Sequence, residues 1–276
     1  MLFGFITGAS CFLAGFLWNR LDLSWVMLPL LMVGFFLGLF LLFFVTLVIL
    51  CALVDMKKPQ EHDSPFYRKL MMICIEALIQ ALQVRIRVQG REKLPQEGRF
   101  LLVCNHQHIG DPGVLLNAFP NSQLAFVGKK ESAKMFLINK LMHRTMCQFI
   151  DRENDRQALK TILRCIQILK DDEVSVGVFP EGGIKDIGKL AHFRSGMFKV
   201  AQKAEVPIVV CTLKGTADIL KNAAKLKPTH VQMHLLDVIP PEDLKGRTTV
   251  DIADQVYEMM IADLGESYRP DTAITT

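Results

Sequence analysis

Two long apolar runs open the chain, Leu2 to Trp18 and Trp25 to Val54, separated only by the polar turn Asn19-Arg20-Leu21-Asp22. As helices they would be about 25 Å and about 45 Å long, against a hydrocarbon core of about 30 Å. The pattern predicts a membrane hairpin over residues 1–58, its first arm marginal in length and its second tilted or overhanging. Lys57 and Lys58 follow the second arm directly, with Arg68 and Lys69 close behind. By the positive-inside rule these place the rest of the chain in the cytoplasm, at the cell membrane. No Lys or Arg precedes Leu2 to Leu17, and the apolar stretch before Cys11 is too short for a lipoprotein leader, so the segment is expected to be an anchor.

Residues 59–83 form an expected interfacial or linker helix. Asp63-Ser64-Pro65 marks its start, with Ser64 as cap and Pro65 in the first helical position. Beyond it Lys69, Glu76, Gln80 and Gln83 fall on one narrow stripe, and Leu70, Ile73, Leu78, Ile79 and Leu82 cover the remainder, a pattern that suits the bilayer interface and an ordinary buried domain helix about equally.

At Val84 the period changes to two: Val84, Ile86 and Val88 alternate with Arg85, Arg87 and Gln89, so a globular domain is expected over residues 84–276. Short apolar runs follow at Phe100 to Cys104, Leu124 to Val127, Gln148 to Ile150, Val174 to Phe179, Val206 to Thr212 and Val231 to Val238. Helical patterns lie between most of them, notably Asp155 to Lys170, Ser195 to Ala204 and Val250 to Leu264. The expected class is α/β, a sheet flanked by helices.

Composition narrows the field further. The 32 Lys and Arg stand against 28 Asp and Glu and are scattered among them, which excludes a nucleic-acid stripe and leaves a mildly basic face toward anionic lipid. Seven cysteines, with no CxxC pair and several inside apolar runs, are expected to be buried thiols in a reducing compartment. Cys104, at the end of an apolar run, is one of these rather than a nucleophile.

Four polar clusters come directly after predicted strands: Asn105-His106-Gln107-His108-Ile109-Gly110-Asp111, Lys129-Lys130-Glu131, Asp151-Arg152 and Pro180-Glu181-Gly182-Gly183. Ligands of open α/β sheets bind beyond the carboxyl ends of strands, so the clusters point to one site if the strands there are parallel. His106 and Asp111 can form a general base with its orienting carboxylate, the carboxylate fixing the tautomer and leaving the far nitrogen to take a hydroxyl proton. Asp111 before Pro112 can equally be a helix cap. His106, His108 and Asp111 also resemble a metal-ligand run. An HxHxDH hydrolase, however, wants an acid at 110 and a His at 111, where this chain has Gly110 and Asp111. No metal is expected.

Asn105-His106-x4-Asp111 resembles the NHx4D motif of the glycerolipid acyltransferase family, the lysophosphatidic acid acyltransferases. Phe149-Ile150-Asp151-Arg152 is similar to that family's second motif, Phe179-Pro180-Glu181-Gly182 to its third, and Val206-Pro207-Ile208-Val209 to its fourth, over about residues 84 to 240. The resemblance implies a glycerolipid-acyltransferase-like fold. It also implies transfer of a fatty acyl group from acyl-CoA or acyl-carrier protein to the free hydroxyl of 1-acyl-glycerol-3-phosphate, giving phosphatidic acid. His106 would be the base and Asp111 its partner, with no cofactor and no covalent intermediate. Asn105, Phe179, Pro180, Glu181, Gly182, Gly183 and Arg152 carry over as acceptor-site candidates, and Lys129 or Lys130 offers a point charge for a phosphate. The family's third motif usually continues Gly-Thr-Arg, whereas Gly183 and Ile184 stand here, leaving Lys185 or Arg194 to supply the cation. That departure makes another lysophospholipid or an aminolipid the alternative acceptor. A catalytically silent lipid-binding protein is the alternative outside enzymology. The expected partners are membrane lipid, a lysophospholipid and the acyl donor, with no nucleic acid.

Overall fold

In a computed structural model the described residues are 1–151 and 154–270, without the side chains of 132 and 133. Two antiparallel helices come first, α1 (Leu2–Arg20) and α2 (Met27–Ala52), each long and apolar enough to cross a membrane by length and composition. Phe3 stacks on Phe40 across the pair, with ring centroids 6.3 Å apart. Along both arms Phe5, Phe12, Phe16, Leu30, Leu37 and Leu41 stay exposed, a surface that water would penalise and lipid would not. The root of the hairpin is embedded in protein. Leu47 and Cys51 join the core, the Tyr67 hydroxyl donates to the Leu50 carbonyl at 3.1 Å, and the Lys140 ammonium donates to the Val54 carbonyl at 2.6 Å.

The third helix, α3 (Pro65–Ala81), lies within the span 59–83 and packs its inner side on the domain. Leu70 and Met71 are buried in the domain core. Arg68 is buried too, forking onto Asp63 at 2.6 and 2.8 Å and donating to the carbonyls of Leu124 at 2.9 Å and Thr145 at 3.2 Å. An isolated guanidinium could not be desolvated so far, and these partners supply its charge and its geometry. Pro65 opens the helix as expected, but the Ser64 hydroxyl makes no capping bond.

The domain then alternates strand and helix. The first half is β1 (Val84–Gln89), β2 (Leu101–Cys104), α4 (Asp111–Ala118), β3 (Leu124–Lys129), α5 (Phe136–Arg144), β4 (Gln148–Ile150) and α6 (Asp155–Lys170). The second half is β5 (Ser175–Val178), α7 (Phe198–Ala204), β6 (Ile208–Lys214), α8 (Ile219–Ala223), β7 (Thr229–Ile239) and α9 (Thr249–Leu264). All seven expected strands pair into one sheet in the order β1-β7-β6-β2-β5-β3-β4. Every pairing is parallel except β6 with β7. The carboxyl ends of β6, β2, β5, β3 and β4 therefore open on one edge, which is the condition the four polar clusters required.

One face of the sheet packs on α3, α4, α5 and the root of α2, the other on α6, α7 and α9. Strand β2, at the centre, is apolar at all four positions and fully buried, as a parallel strand covered on both faces must be. All seven cysteines are free, and burial pushes the Cys165 thiol up to about 12. Pro207 lies one residue before β6, where its missing N–H costs nothing and its carbonyl accepts from the Leu101 amide at 3.0 Å.

Candidate active site

The chain leaves β2 at Cys104 and turns back into α4 within six residues. One atom organises that turn: Asp111 Oδ2 accepts from His106 Nδ1 at 2.8 Å, from the Gln107 amide at 2.7 Å and from the His108 amide at 2.8 Å. The helix is capped at Gly110 and begins at Asp111, so the Asp111 carboxylate folds back over the turn instead of capping the helix. It is fully buried, and its second oxygen, Oδ1, has no hydrogen-bond partner among the described residues. The first turn of α4 favours the negative charge.

The carboxylate on Nδ1 holds the proton there and leaves the lone pair on Nε2, the nitrogen a substrate hydroxyl can reach. The His106 side chain remains 16% exposed while its partner is sealed, the arrangement a base and its orienter require. Phe179 at the end of β5 fixes the other dimension, stacking on the imidazole with centroids 4.2 Å apart at 17°. Phe126 of β3 stacks on Phe179 in turn at 5.6 Å. Gly177 makes room for this file of rings, because a Cβ there would lie 2.4 Å from the Phe126 ring.

Two loops are locked together around the dyad. Asn105, fully buried, donates Nδ2 to the Leu213 carbonyl at 3.0 Å and accepts the Leu213 amide on Oδ1 at 2.7 Å, acting as one more backbone unit between β2 and β6. The side chain is thereby pinned between the two strands and holds the start of the turn that carries His106. Glu181 is committed in the same way. Its Oε1 accepts from the His106 amide at 2.6 Å and its Oε2 from the Ala191 amide at 2.9 Å. Gln107, which the sequence pattern did not single out, accepts the Gly188 amide at 2.6 Å and donates to the Lys189 carbonyl at 3.2 Å. A glutamine inside a catalytic motif has no composition signal that separates a buried clamp from a solvated side chain.

The remaining expected residues are more dispersed. Pro180 is buried, and its carbonyl accepts from the Arg194 amide at 2.8 Å. Gly182 adopts φ +79°, and a Cβ on it would meet Arg194 Nε at 2.8 Å, so the guanidinium of Arg194 lies across the glycine the motif supplies. This brings Arg194, and not Lys185, against the third motif; Lys185 is exposed beyond Gly183. Lys129 pairs with Glu131 at 3.6 Å and Lys130 with Asp151 at 2.8 Å, both lysines exposed at the end of β3. Arg152 lies outside the described residues. His108 accepts the Gly110 amide on Nδ1 at 3.0 Å and takes no part in the dyad.

Burial pushes the Glu181 carboxyl up to about 7 against the pull of its two amides and of His106. A carboxyl whose folded pKa is raised above its unfolded value binds more protons folded than unfolded, so stability falls as pH rises from about 4.5 through 7. The full swing is on the order of 3 kcal/mol. Glu181→Gln removes the titration. The thermal midpoint of the parent is therefore expected to drop relative to the Gln variant between pH 5 and pH 8, measured by differential scanning fluorimetry in detergent. A difference independent of pH would mean that Glu181 does not titrate there.

Residues 85–214 match the family model described as acyltransferase. A probable 1-acyl-sn-glycerol-3-phosphate acyltransferase of Mycoplasma pneumoniae is 28% identical over 194 residues, 67% of this chain and 72% of that protein. The 1-acyl-sn-glycerol-3-phosphate acyltransferase alpha of Ovis aries is 27% identical over 194 residues, 70% of this chain and 66% of that protein. A crystal structure of the 1-acyl-sn-glycerophosphate acyltransferase PlsC of Thermotoga maritima superposes with a TM-score of 0.61 over 84% of this chain and 91% of that one, at 21% identity. That likeness is one of fold.

Proposed function

We propose that the chain, whose residues 85–214 match the acyltransferase family model, transfers a fatty acyl group from a thioester to the free hydroxyl of 1-acyl-glycerol-3-phosphate, giving phosphatidic acid. The observation that carries this reading is the 2.8 Å bond between His106 Nδ1 and the sealed Asp111 carboxylate. His106 Nε2 takes the hydroxyl proton as the oxygen attacks the thioester carbonyl. The C–O bond forms, the tetrahedral centre collapses, the C–S bond breaks, and the proton passes to the departing thiolate. Asp111 stabilises the imidazolium that exists between those two transfers. The acyl group goes directly from donor to acceptor, with no cofactor or metal in the route.

A lipid acceptor suits the rim of the site. Ile109 at 67% exposure, Ile184 at 42% and Ile187 at 68% stand on the two loops that enclose the dyad, where water-soluble substrates would be met by polar groups. The hairpin would hold this rim at the bilayer, with the domain in the cytoplasm. Arg152, and the Arg194 guanidinium lying over Gly182, are the cations proposed for the acceptor phosphate. The replacement of Thr-Arg by Gly183-Ile184 favours, as a second reading, an acceptor with a different headgroup.

The test is acyl transfer from radiolabelled acyl-CoA and acyl-carrier protein to a panel of 1-acyl-glycerol-3-phosphate, lysophospholipids with larger headgroups and lyso-aminolipids. Preference for the phosphate acceptor is expected, and consistent preference for another would replace it. Arg152→Ala is expected to raise the acceptor KM, and not the donor KM, by the equivalent of about 1.5 to 3 kcal/mol of charge-assisted bonding. An unchanged acceptor KM removes Arg152 from the phosphate site.

A further inference from the structure

Where the hairpin meets the domain, α1, α3 and the turn from α4 into β3 enclose an open groove of about 790 Å³, within the ~300–1,000 Å³ span of small-molecule sites. Its apolar lining comes from Leu2 and Phe5 of α1 and from Met72 and Ile73 of α3. One turn earlier on the same side of α3 stands Lys69, and Asn117, Asn121 and Gln123 line the groove from the end of α4 and the turn after it. Arg68 bonds the Leu124 carbonyl at 2.9 Å, which brings the start of α3 against that turn and gathers the polar groups together. The carboxylates at the groove are already paired, Asp63 with the Arg68 fork at 2.6 and 2.8 Å and Glu76 with the Met1 amino group at 2.9 Å. Among the described residues the side chains of Lys69, Asn117, Asn121 and Gln123 make no hydrogen bond or ion pair, so a positive charge and three amides are open to a ligand.

The groove is separate from the dyad. Asp111 opens α4 at the catalytic edge, whereas Asn117 lies in its last turn and Gln123 directly before β3, at the opposite edge of the sheet. The wall formed by α1 decides what can fill it. That helix is an arm of the membrane hairpin, and Phe5 is 76% exposed on it, so hydrocarbon begins within about a turn of the domain. The bond from Met1 to Glu76 sets the first turn of the arm against α3, which puts Lys69 and the three amides at headgroup depth.

We propose that this groove binds an anionic phospholipid of the bilayer, its phosphate on Lys69 and the neighbouring amides and an acyl chain along Leu2, Phe5, Met72 and Ile73, at a site distinct from the catalytic one. The proposal rests on the hairpin lying in the bilayer and not on the acyl-transfer chemistry. Phosphate oxygens accept from an ammonium and from amide N–H groups alike, so one headgroup satisfies the polar lining. An acidic peptide would meet the lysine equally well, but it would leave unfilled the apolar lining that continues into a membrane arm. The bound lipid would tie α1 to α3 and to the turn before β3.

The experiment uses the full chain in phosphatidylcholine nanodiscs that contain phosphatidylglycerol carrying a photoactivatable diazirine in its acyl chain, with cross-links mapped by mass spectrometry. Label is expected at Leu2, Phe5, Met72 and Ile73 in excess of that on Leu37 and Leu41, exposed residues of α2 outside the groove. Lys69→Glu should lower the groove label about tenfold and leave the α2 label unchanged. Met72→Trp, which fills the groove without altering its charge, should lower it as well. Lys57→Glu/Lys58→Glu, a charge reversal at the root of the hairpin, should leave it intact. Equal loss in that double variant would reduce the effect to general surface attraction, and groove label no higher than on α2 would make this an ordinary lipid-facing surface. Chase of the label by 1-acyl-glycerol-3-phosphate at concentrations that saturate turnover would assign the groove to the acceptor. Each of these three outcomes overturns the proposal. A chain stripped from membranes by alkaline carbonate would sink the hairpin reading and the proposal with it, whereas the expected labelling in a chain that transfers no acyl group would sink only the acyltransferase reading.

Discussion

Replacing His106 by Ala is expected to lower kcat by about 10² to 10⁴ while leaving the donor KM nearly unchanged. An alcohol is a poor nucleophile at neutral pH, and among the described residues the group placed to take its proton is the imidazole nitrogen opposite the Asp111 bond. The expectation of near-normal donor binding follows from where the residue sits: its ring is stacked on Phe179, and its amide, which Ala retains, still donates to Glu181 at 2.6 Å. The loop clamp therefore survives the substitution even though the ring stack is lost. His108→Ala is the companion, because His108 uses Nδ1 only on the Gly110 amide and a dyad does not need it. Single-turnover assays of both, in protein whose melting is unaltered, give the answer. Near-normal turnover by the His106 variant would remove general-base catalysis from the mechanism.

The strands were legible because β-pattern and burial coincide: each expected apolar run became a strand, and parallel pairing brought the polar clusters that follow them to one edge. The motif also located the two members of the dyad, whose chemistry is carried by residue type and spacing. What the pattern could not carry was how side chains divide between substrate and scaffold. Asn105 and Glu181 stand in motifs that imply substrate contact, yet each is occupied at both ends by backbone groups from a distant part of the chain. Partners 75 and 108 residues away leave no periodic trace. The packing of residues 59–83 was hidden for a related reason. Their apolar cover suits a bilayer surface or a core equally, and Arg68, which reads as a surface cation, finds its ligands at Leu124 and Thr145 only in the folded chain. The stack of Phe126, Phe179 and His106 was likewise hidden, since Gly177 shows its purpose only against the ring that would strike a Cβ.

Asp111→Asn separates charge from geometry unusually well at this site and is expected to cost kcat on the same scale as loss of the base. All three bonds that Asp111 receives converge on Oδ2, so an Asn whose amide oxygen takes that place can still accept from His106 Nδ1 and from the amides of Gln107 and His108. The turn and the tautomer are then preserved. What disappears is the negative charge facing an imidazolium, which matters little to the resting enzyme and most at the moment His106 holds the substrate proton. The Asn NH2 would take the place of Oδ1, a buried atom with no partner among the described residues, and leaving a buried donor unsatisfied should cost about 1 to 3 kcal/mol of stability. The variant should thus melt somewhat lower, bind donor and acceptor normally, and turn over about 10² to 10⁴ more slowly. Asp111→Glu retains charge but is too long for a sealed site, and its activity, measured beside that of Asn, ranks charge against fit. If Asp111→Asn kept kcat within a few-fold of the parent, the carboxylate would be a turn-forming group only, and the base would have to work without it.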